Sequence, residues 1–366
     1  HGVVSNMSAV DRIAPLLQAV TDPGSGLPLA KVARLQSATD QGAISLVFGY
    51  PCQGLHAEIA EALRPQVAQA LGISDAQVAI AITTQVVAHE VQGGLKPLPG
   101  VKNVVAIASG KGGVGKSTTT VNLALALAAE GARVGVLDAD IYGPSIPTML
   151  GVGGKPETED GKTMLPKVGH GLQTNSIGFL IDKDQAMVLR GPMVTQALDQ
   201  LLRQTQWTEL DYLLVDMPPG TGDIHLSLAQ RVPLTGAVIV TTPQEIALMD
   251  ARKGLKMFEK VSVPILGIVE NMGLHICSQC GHMEHIFGEG GGESMSHTYG
   301  VPMLGSLPLN IKIREDADSG APSLVADPQG PIAALYKQIA RRMAAGVSQI
   351  AKDMSGKFPT IVVQNT

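Results

Sequence analysis

Cysteine, aromatic residues and charged residues are all scarce in this sequence. It has three cysteines in 366 residues, with 3% aromatic and 16% charged residues. Three cysteines do not make a disulfide framework, and such a chain is typical of a reducing compartment, so we expect a cytoplasmic protein. No apolar run reaches the roughly 18 residues that a membrane-spanning helix needs, so we expect no membrane partner.

The start of the chain and its net charge lead us to expect neither a signal peptide nor a nucleic-acid-binding protein. HGVVSNM lacks the charged and apolar regions of a signal peptide, and we interpret residues 1–6 as a tag remnant before a native start at Met7. The net charge of −5 argues against nucleic acid as a partner, because nucleic-acid-binding domains usually carry a basic face. The length of 366 residues, with 45% hydrophobic residues, predicts a globular chain of two domains.

Residues 1–92 predict a small α+β domain, followed by a Gly- and Pro-rich linker over residues 93–102. Segments with helical apolar spacing alternate here with segments that have the period of two of a half-buried strand. A proline in the second helical segment is expected to interrupt that helix. The predicted elements are helices over 8–20 and 54–71, strands over 31–37, 43–49 and 76–87, and a turn over 21–28.

Residues 103–366 show a different pattern, in which buried-type apolar strands alternate with helices. This alternation predicts an α/β fold with a mostly parallel sheet that is flanked by helices on both faces. Such sheets bind ligands at the carboxyl ends of their strands, so polar residues that follow the strands are the candidates for a site. The last predicted helix covers residues 331–353.

The stretch GKGGVGKST fits the phosphate-binding pattern GxxxxGK(S/T) and lies between a predicted strand and a predicted helix. Its glycines allow backbone N–H groups to turn toward phosphate oxygens, and the helix N-terminus favours negative charge. Lys116 suits the β- and γ-phosphates of ATP, and Ser117 suits Mg²⁺. The second domain is therefore predicted to be a P-loop ATPase. The expected nucleotide-binding residues are Gly110, Lys111, Gly112, Gly113, Val114, Gly115, Lys116, Ser117 and Thr118.

Three aspartates follow two of the predicted strands. Asp216 ends DYLLVD, while Asp138 and Asp140 end RVGVLDAD. Because the carboxyl ends of parallel strands share one edge, we expect all three near the phosphate-binding loop. Carboxylate oxygens suit Mg²⁺, so Asp138 and Asp216 are expected to hold this ion together with Ser117. A helix cap or a solvated loop charge is the alternative for each aspartate.

KGGVGKST, DADIYGPS and DMPPGTGD together resemble the deviant Walker A ATPases, which include MinD, the ParA partition proteins and the nitrogenase iron protein. The resemblance implies that Lys111 reaches across a homodimer to the partner's nucleotide, where a second cation would act like an arginine finger. It implies Lys111, Lys116 and Asp140 as catalytic residues, with Asp140 positioning the attacking water. Asn271, at the end of PILGIVEN, would contact the adenine edge or, alternatively, cap its strand.

Cys277 and Cys280 form a C-x-x-C pair in a short polar loop. Thiolates suit zinc and iron–sulfur clusters, but two ligands do not complete a four-ligand site. His282 and His285 could join the pair around one Zn²⁺. The two cysteines could instead form a redox disulfide. As a third completion, a second subunit could supply two more cysteines for a [4Fe–4S] cluster.

NMGLHICSQCGHMEHIFGEGGG, with DIYGPSIPTMLG and TTPQEIALMDARKG, resembles the Mrp/ApbC iron–sulfur cluster carriers, and the likeness covers nearly all of residues 100–345. The resemblance implies a homodimer that hydrolyses ATP and binds a labile bridging [4Fe–4S] cluster through Cys277 and Cys280. The cluster would pass to apo iron–sulfur proteins, and cluster-assembly scaffolds would be further partners. The family often has a proline between the cysteines, where this chain has Ser278 and Gln279.

Residues 1–92 resemble the MIP18-like domain that many bacterial members of that family carry, although its motifs are weaker. Such domains often have a reactive cysteine after a strand, and GYPCQG places Cys52 at about that point. A small buried cysteine is the commoner case, and it is the one that we expect here.

Two other functions share the predicted ATPase fold, and a fold alone does not decide between them. A positioning ATPase of the MinD or ParA type would need a membrane-binding tail or a basic DNA-binding face. The helix over 331–353 could be such a tail, and the cysteine loop would then be a structural metal site. An electron-transfer reductase like the nitrogenase iron protein would have its cysteines far apart in sequence, whereas here they are close neighbours.

Overall fold

The computed structural model describes residues 7–352, apart from the side chain of Lys183. The interpretation of residues 1–6 and the predicted helix end at residue 353 lie outside the described residues. The helices are α1 (Ala9–Ala19), α2 (Leu29–Val32), α3 (His56–Leu71), α4 (Lys116–Ala129), α5 (Ile146–Leu150), α6 (Lys183–Ala186), α7 (Gly191–Gln204), α8 (Asp223–Arg231), α9 (Glu245–Lys260), α10 (Gly291–Tyr299), α11 (Ile311–Asp318), α12 (Ser323–Ala326) and α13 (Pro331–Ser348). The strands are β1 (Ala33–Ala38), β2 (Ala43–Phe48), β3 (Ala79–Thr84), β4 (Val101–Ala108), β5 (Val134–Asp138), β6 (Lys167–Gly169), β7 (Leu172–Ser176), β8 (Leu210–Asp216), β9 (Gly236–Thr241), β10 (Ile265–Ile276), β11 (Met283–Glu284) and β12 (Met303–Pro308).

The N-terminal unit is a three-stranded sheet with two longer helices packed on it. β2 lies between β1, which is antiparallel to it, and β3, which is parallel. α1 and α3 bury apolar residues that are four positions apart, the spacing of a helix with one face against a core. These residues are Ile13 and Leu17 in α1, and Ile59, Leu63, Val67 and Leu71 in α3. The predicted small α+β unit is confirmed.

The prediction that proline interrupts the helix over 54–71 is wrong, because α3 continues through Pro65. Pro65 lies on the exposed side of the helix. The carbonyl group of Glu61, which loses its intrahelical partner to the proline, therefore faces water and remains solvated. The predicted strand over 76–87 is shorter than expected and consists of β3 alone.

A nine-stranded sheet forms the centre of the remaining chain. Its order is β11-β10-β9-β4-β8-β5-β7-β6, and β12 also pairs with β10. β6–β7 and β10–β11 are antiparallel, and the other pairs are parallel. The mostly parallel sheet with flanking helices is therefore confirmed. β4 begins at Val101, so the last residues of the predicted linker already belong to the sheet.

Neighbouring residues of β4 point to opposite faces of this sheet and enter different cores. Val105 and Ile107 pack in a core that includes α4 and α13, whereas Val104 and Ala106 pack with α7, α8 and α9. A strand that is buried on both faces reads as a continuous apolar run, which is why its sequence shows no alternation. The two layers of helices leave the ends of the strands as the accessible edges of the sheet.

The N-terminal unit shares the core that contains α4 and α13. At this boundary lies Glu130, which follows α4 and is only 3% exposed. It accepts a hydrogen bond from Gly54 N–H at 3.1 Å and a two-pronged ion pair from Arg341 of α13 at 3.0 and 3.1 Å. The carboxyl end of α4 is therefore attached to the N-terminal unit by a buried, fully paired charge.

α13 ends at Ser348, before the predicted boundary, and its apolar face is buried against α4 and β12. The buried residues are Ala333, Tyr336, Ile339, Ala340, Met343, Ala344, Ala345 and Val347. A membrane-binding tail needs an apolar face that is available, and this face is already occupied by the protein's own core. Among the described residues, no helix is long and apolar enough to cross a membrane.

Replacing Glu130 with alanine should destabilise the whole chain. Arg341 would be left without its counter-ion in a largely buried position, and we expect the free energy of unfolding to fall by about 3–5 kcal/mol. Urea unfolding, followed by circular dichroism, measures this loss. The matched control is Asp199→Ala, which removes an exposed ion pair with Arg203 and should cost at most about 0.5 kcal/mol. Equal losses in the two variants would contradict the buried contact.

Candidate functional site

The glycine-rich stretch of residues 110–118 connects β4 to the start of α4, as predicted. Gly113 and Gly115 both have a φ of +80°, a left-handed conformation that residues with a Cβ rarely adopt. α4 begins directly after Gly115, so the unpaired N–H groups of its first turn lie at the loop. Free amide groups at a helix N-terminus are suited to phosphate. We call residues 110–115 the glycine loop.

Lys116 is held by two buried carboxylates. Its Nζ lies 2.6 Å from Oδ1 of Asp216 and 3.5 Å from Oδ2 of Asp140. Ser117 Oγ donates to Asp216 Oδ2 at 2.5 Å, and Thr120 Oγ1 donates to Asp216 Oδ1 at 2.9 Å. Together these three donors offset the cost of burying the Asp216 carboxylate. Thr120 was not among the residues predicted from the sequence, although its place one helical turn after Lys116 puts it on the same face of α4.

Asp138 lies beside Asp216 in the neighbouring strand. Both of its oxygens accept hydrogen bonds, from the N–H groups of Asp140 and Ile146 at 3.2 Å each and from Ser176 Oγ at 3.0 Å. Burial, together with the nearby Asp216 carboxylate, raises the pKa of Asp138 well above its ordinary value. This environment fits a role in holding the loop after β5 better than the predicted ligation of Mg²⁺.

Asp140 differs from Asp138, because only one of its two carboxylate oxygens has a partner among the described residues. Its Oδ1 is buried and finds no hydrogen-bond partner within the part of the chain that the structure describes. Burial raises the pKa of Asp140, and the adjacent Lys116 ammonium partly offsets this shift. With Lys111 and Lys116, Asp140 lines a cavity of about 170 Å³ over the glycine loop. An unpaired oxygen here has the capacity to accept a hydrogen bond from a ligand or a water.

Asn271 lies against the glycine loop rather than at the end of a strand. Its Nδ2 donates to the carbonyl oxygen of Val114 at 2.9 Å. A Cβ on Gly115 would overlap this amide group. Position 115 therefore requires glycine for two reasons, the close approach of Asn271 and the left-handed φ angle. The strand-cap alternative for Asn271 is wrong, because β10 continues to Ile276. The adenine contact that the resemblance implied stays a prediction.

The loop after β8 is organised by a histidine that sequence analysis missed. His225 Nε2–H donates to the carbonyl of Pro219 at 2.7 Å, and Nδ1 accepts from Gly222 N–H at 3.1 Å. Burial lowers the pKa of His225, which favours the neutral ring that this pair of bonds requires. Gly220 N–H donates at 3.0 Å to the carbonyl of Ser109, the residue before the glycine loop, and so joins the loop after β8 to the start of the glycine loop. The sequence signal for His225 was its place in the first turn of a helix that follows a Gly-rich turn.

Cys277 and Cys280 lie in the tight turn of a β-hairpin between β10 and β11. The turn is closed by hydrogen bonds from Cys277 N–H to the carbonyl of His282 at 2.9 Å and from Gly281 N–H to the carbonyl of Cys277 at 2.8 Å. Cys277 is half-buried and Cys280 is exposed. We call residues 277–282 the cysteine turn, and both of its thiols are within reach of solvent.

The backbone of the cysteine turn favours a thiolate. The N–H groups of Cys280 and Gln279, together with the Cys280 thiol, lower the pKa of Cys277. The thiolate is the form of cysteine that binds metals. Cys52 differs, because it is fully buried and burial raises its pKa to about 12. The expectation that Cys52 is a small buried cysteine is therefore confirmed.

His282 and His285 do not complete a zinc site with the two cysteines. His285 Nδ1–H donates to the carbonyl of Gly273 at 2.7 Å. The Nε2 atoms of His282 and His285 lie 3.9 Å and 3.7 Å from the carboxylates of Glu284 and Glu289. In the part of the chain that the structure describes, no three His, Cys, Asp or Glu side chains come together as a metal site. The turn therefore offers two thiols and no further ligand from these residues.

The cysteine turn and the glycine loop lie at the same edge of the sheet, because β4, β9 and β10 are parallel. Three large apolar side chains near the turn are exposed. They are Ile276 at 52%, Met283 at 63% and Ile286 at 48%. Exposed apolar side chains beside a site are candidates for contact with a partner. This edge of the sheet therefore combines a phosphate-type loop, two accessible thiols and exposed apolar side chains.

Comparisons with known proteins cover both parts of the chain. The family model described as ParA, NUBPL iron-transfer P-loop NTPase, matches residues 100–344. The iron–sulfur cluster carrier protein of Escherichia coli K12 is 62% identical over 247 residues, which is 67% of this chain and 67% of that protein. The iron–sulfur cluster carrier protein of Synechocystis sp. PCC 6803 is 42% identical over 353 residues, 94% of this chain and 99% of that one.

A solved structure shows the same architecture. The nucleotide-binding protein from Archaeoglobus fulgidus, in complex with ADP, matches with a TM-score of 0.55 and 36% sequence identity. The match covers 64% of this chain and 90% of that chain. The P-loop NTPase fold that the sequence predicted is therefore confirmed.

The lowered pKa of Cys277 should be visible in the pH dependence of its alkylation rate. The measurement uses metal-free protein with Cys280→Ser, because serine keeps a hydroxyl beside the Cys277 sulfur. Because N–H groups stabilise the thiolate, the rate with iodoacetamide should rise with pH through a midpoint below that of an unperturbed cysteine, about 8.5. The same protein in urea loses these donors and should return to the ordinary midpoint. Identical midpoints in the folded and unfolded protein would contradict the role of the turn.

Proposed function

This chain belongs to the family of NUBPL iron-transfer P-loop NTPases, and on that premise we propose that it is an ATP-hydrolysing cluster carrier. The family agrees with the predicted resemblance to iron–sulfur cluster carriers. The cargo would be a labile [4Fe–4S] cluster held between two copies of the chain and passed to apo iron–sulfur proteins. Cluster-assembly scaffolds would be the other partners. The observation that carries the proposal is the cysteine turn, with two accessible thiols at the same sheet edge as the glycine loop.

The residues around the glycine loop fit ATP and Mg²⁺. The left-handed Gly113 and Gly115 leave backbone amides free of side chains, and Lys116 supplies the cation that phosphate requires. Ser117 and Asp216 offer the hydroxyl and carboxylate oxygens that Mg²⁺ prefers. Bound Mg²⁺ would neutralise the charge that develops on the phosphate oxygens. Lys116 and Asp216 pair with each other in the structure, so nucleotide binding would exchange this ion pair for new partners on both sides.

Asp140 is the best-placed residue to position the attacking water. Its buried Oδ1 has no partner among the described residues, and it lines the cavity together with Lys116. A carboxylate whose pKa is raised accepts a proton from water more readily than an ordinary one. Asp138 would act indirectly, because its hydrogen bond from Asp140 N–H holds the backbone of that residue.

Lys111 is proposed to act on the nucleotide of the partner subunit. It is half-buried at the cavity over the glycine loop, and its own chain already supplies Lys116 to this place. A second cation delivered by another copy would stabilise the charge that develops on the γ-phosphate. Hydrolysis would then require two chains that face each other across this edge.

The same pairing would complete the cluster site. Two cysteine turns supply four thiolates, which is the ligand number of a [4Fe–4S] cluster. The exposed side chains of Ile276, Met283 and Ile286 would be covered in such a dimer. Ligands on a surface turn suit a cluster that is handed on, because the acceptor can approach them. A MinD- or ParA-type positioning ATPase is less well supported, since its tail would be α13, whose apolar face is packed.

Anaerobic reconstitution with iron and sulfide tests the cargo. We expect about four irons and four sulfides per dimer, with visible absorption, because four cysteine thiolates hold one such cluster. Cys277→Ser should abolish this loading. Cys52→Ala is the matched control, since it removes the buried cysteine and should leave the iron count unchanged. One zinc per chain without sulfide would contradict the proposal and favour a structural metal turn.

Lys111→Ala tests the catalytic role across the dimer. We expect kcat for ATP hydrolysis to fall on the order of 10³-fold, as for the loss of an arginine finger. Nucleotide affinity should change little, whereas Lys116→Ala should lose nucleotide binding. Steady-state turnover and equilibrium binding separate the two effects. Lys256→Ala, which removes an exposed lysine of α9, is the control for the loss of a positive charge.

Mixing two inactive variants distinguishes action in trans from action within one chain. Lys111→Ala and Asp140→Ala chains each lack one group, but a mixed dimer has one complete site if Lys111 serves the partner. Mixed in equal amounts, they should recover roughly a quarter of wild-type turnover, because half of the dimers are mixed and each has one intact site. No recovery in a mixture shown to exchange subunits would refute action in trans.

A further inference from the structure

β10 has two parts that meet at residues 271–273, which we call the junction. Up to Glu270 the strand pairs with β9 and β12 inside the sheet. Its register with β12 shifts between Glu270 and Leu274, where it pairs with β12 once more, at Pro308. It then pairs with β11 and leads into the cysteine turn. Met272 has a φ of +58°, a left-handed conformation that interrupts the extended path of the strand. The pairing of β10 inside the sheet is therefore interrupted at the junction and resumes at Leu274.

Asn271 connects the junction to the glycine loop through one peptide unit. Its Nδ2 donates to the carbonyl oxygen of Val114 at 2.9 Å. That carbonyl and the N–H of Gly115 belong to the same planar peptide group and point in opposite directions. When the Gly115 N–H points toward a phosphate, the Val114 carbonyl therefore points toward Asn271.

The hairpin is attached to the junction by both of its arms. One arm is the chain itself, which runs from Gly273 into the cysteine turn. The other is His285, which follows β11 and donates from Nδ1 to the carbonyl of Gly273 at 2.7 Å. On the sheet side, Glu270 is fixed by Gly292 N–H at 2.7 Å and Ser306 Oγ at 3.3 Å. Leu274, on the hairpin side, is also held, because its carbonyl accepts from Leu309 N–H at 2.8 Å. A displacement at the junction would therefore pass to the hairpin through the contact of Gly273 with His285.

We propose that Asn271 is a positioning residue that couples occupancy of the glycine loop to the position of the cysteine turn. Phosphate that binds the Gly115 N–H would reorient the Val114 peptide group, and the hydrogen bond to Asn271 would move the junction and the hairpin with it. The exposure of Cys277 and Cys280 would then depend on the nucleotide. Coupling of this kind is reciprocal, so a ligand on the cysteine turn would change nucleotide affinity by the same factor. This role rests on the proposed function for the identity of the cargo, and it differs from an adenine contact.

The test measures the alkylation rates of Cys277 and Cys280 in metal-free full-length protein, by peptide mass spectrometry, with and without saturating MgADP or a non-hydrolysable ATP analogue. Cys52 serves as the internal reference, because it is fully buried. In the wild-type protein we expect nucleotide to change the rate at the cysteine turn by about fivefold or more, the lower end of typical allosteric coupling. No change in the wild-type protein would overturn the proposal.

Two variants examine the coupling path. Asn271→Ala removes the hydrogen bond, and at nucleotide concentrations shown to saturate this variant its alkylation rates should no longer respond to nucleotide. Met272→Gly keeps the bond but relaxes the left-handed position, and it should weaken the response while the protein stays folded. A merely structural role would slow or speed alkylation equally with and without nucleotide. A wild-type response in Asn271→Ala, or a complete loss of its nucleotide binding, would overturn the proposal, and the latter would favour the adenine contact.

The readout is independent of the cluster. If iron and sulfide do not load but nucleotide still controls the thiols through Asn271, the coupling stands and the cargo was assigned wrongly. If the cluster loads at about four irons per dimer and the thiols ignore nucleotide, the carrier function stands and the path through Asn271 is wrong.

Discussion

The nucleotide site depends on the buried carboxylate of Asp216. A carboxylate with no exposed surface is tolerated only when donors satisfy it, and here they are Lys116, Ser117 and Thr120. All three belong to the first turns of α4, so this carboxylate decides where α4 begins relative to β8. The glycine loop must end where α4 begins, and it is therefore held over the same edge of the sheet.

The parallel arrangement of the strands gathers the remaining groups at that edge. Asp138 beside Asp216 holds the loop that carries Asp140, and Asn271 reaches the glycine loop from β10. The continuation of β10 then places the cysteine turn at the same edge of the sheet as the nucleotide site. The opposite end of α4 is attached to the N-terminal unit through Glu130, so one helix contacts both the site and that unit.

Much of the fold and of the site could be predicted from the sequence, and the exceptions have identifiable causes. β7 reads LQTNS, which has no strand pattern, because its buried Thr174 and Asn175 are satisfied by the carbonyl of Val136 and the hydroxyl of Thr205. Such bonds join residues that are far apart in sequence. Pro65 also misled the prediction, since whether a proline breaks a helix depends on whether the freed carbonyl faces water.

The sequence by itself determined the features that depend on neighbouring residues. These are the strand and helix periods, the glycine loop with Lys116, and the two cysteines that share one turn, because each rests on short-range backbone geometry. Only the tertiary structure decided that Asp138 is occupied by its own loop, that His282 and His285 complete no zinc site in the described chain, and that Asn271 contacts a loop 157 positions away. These facts depend on which strands become neighbours in the sheet, and pairing of that kind is a property of the whole packed chain rather than of any local segment.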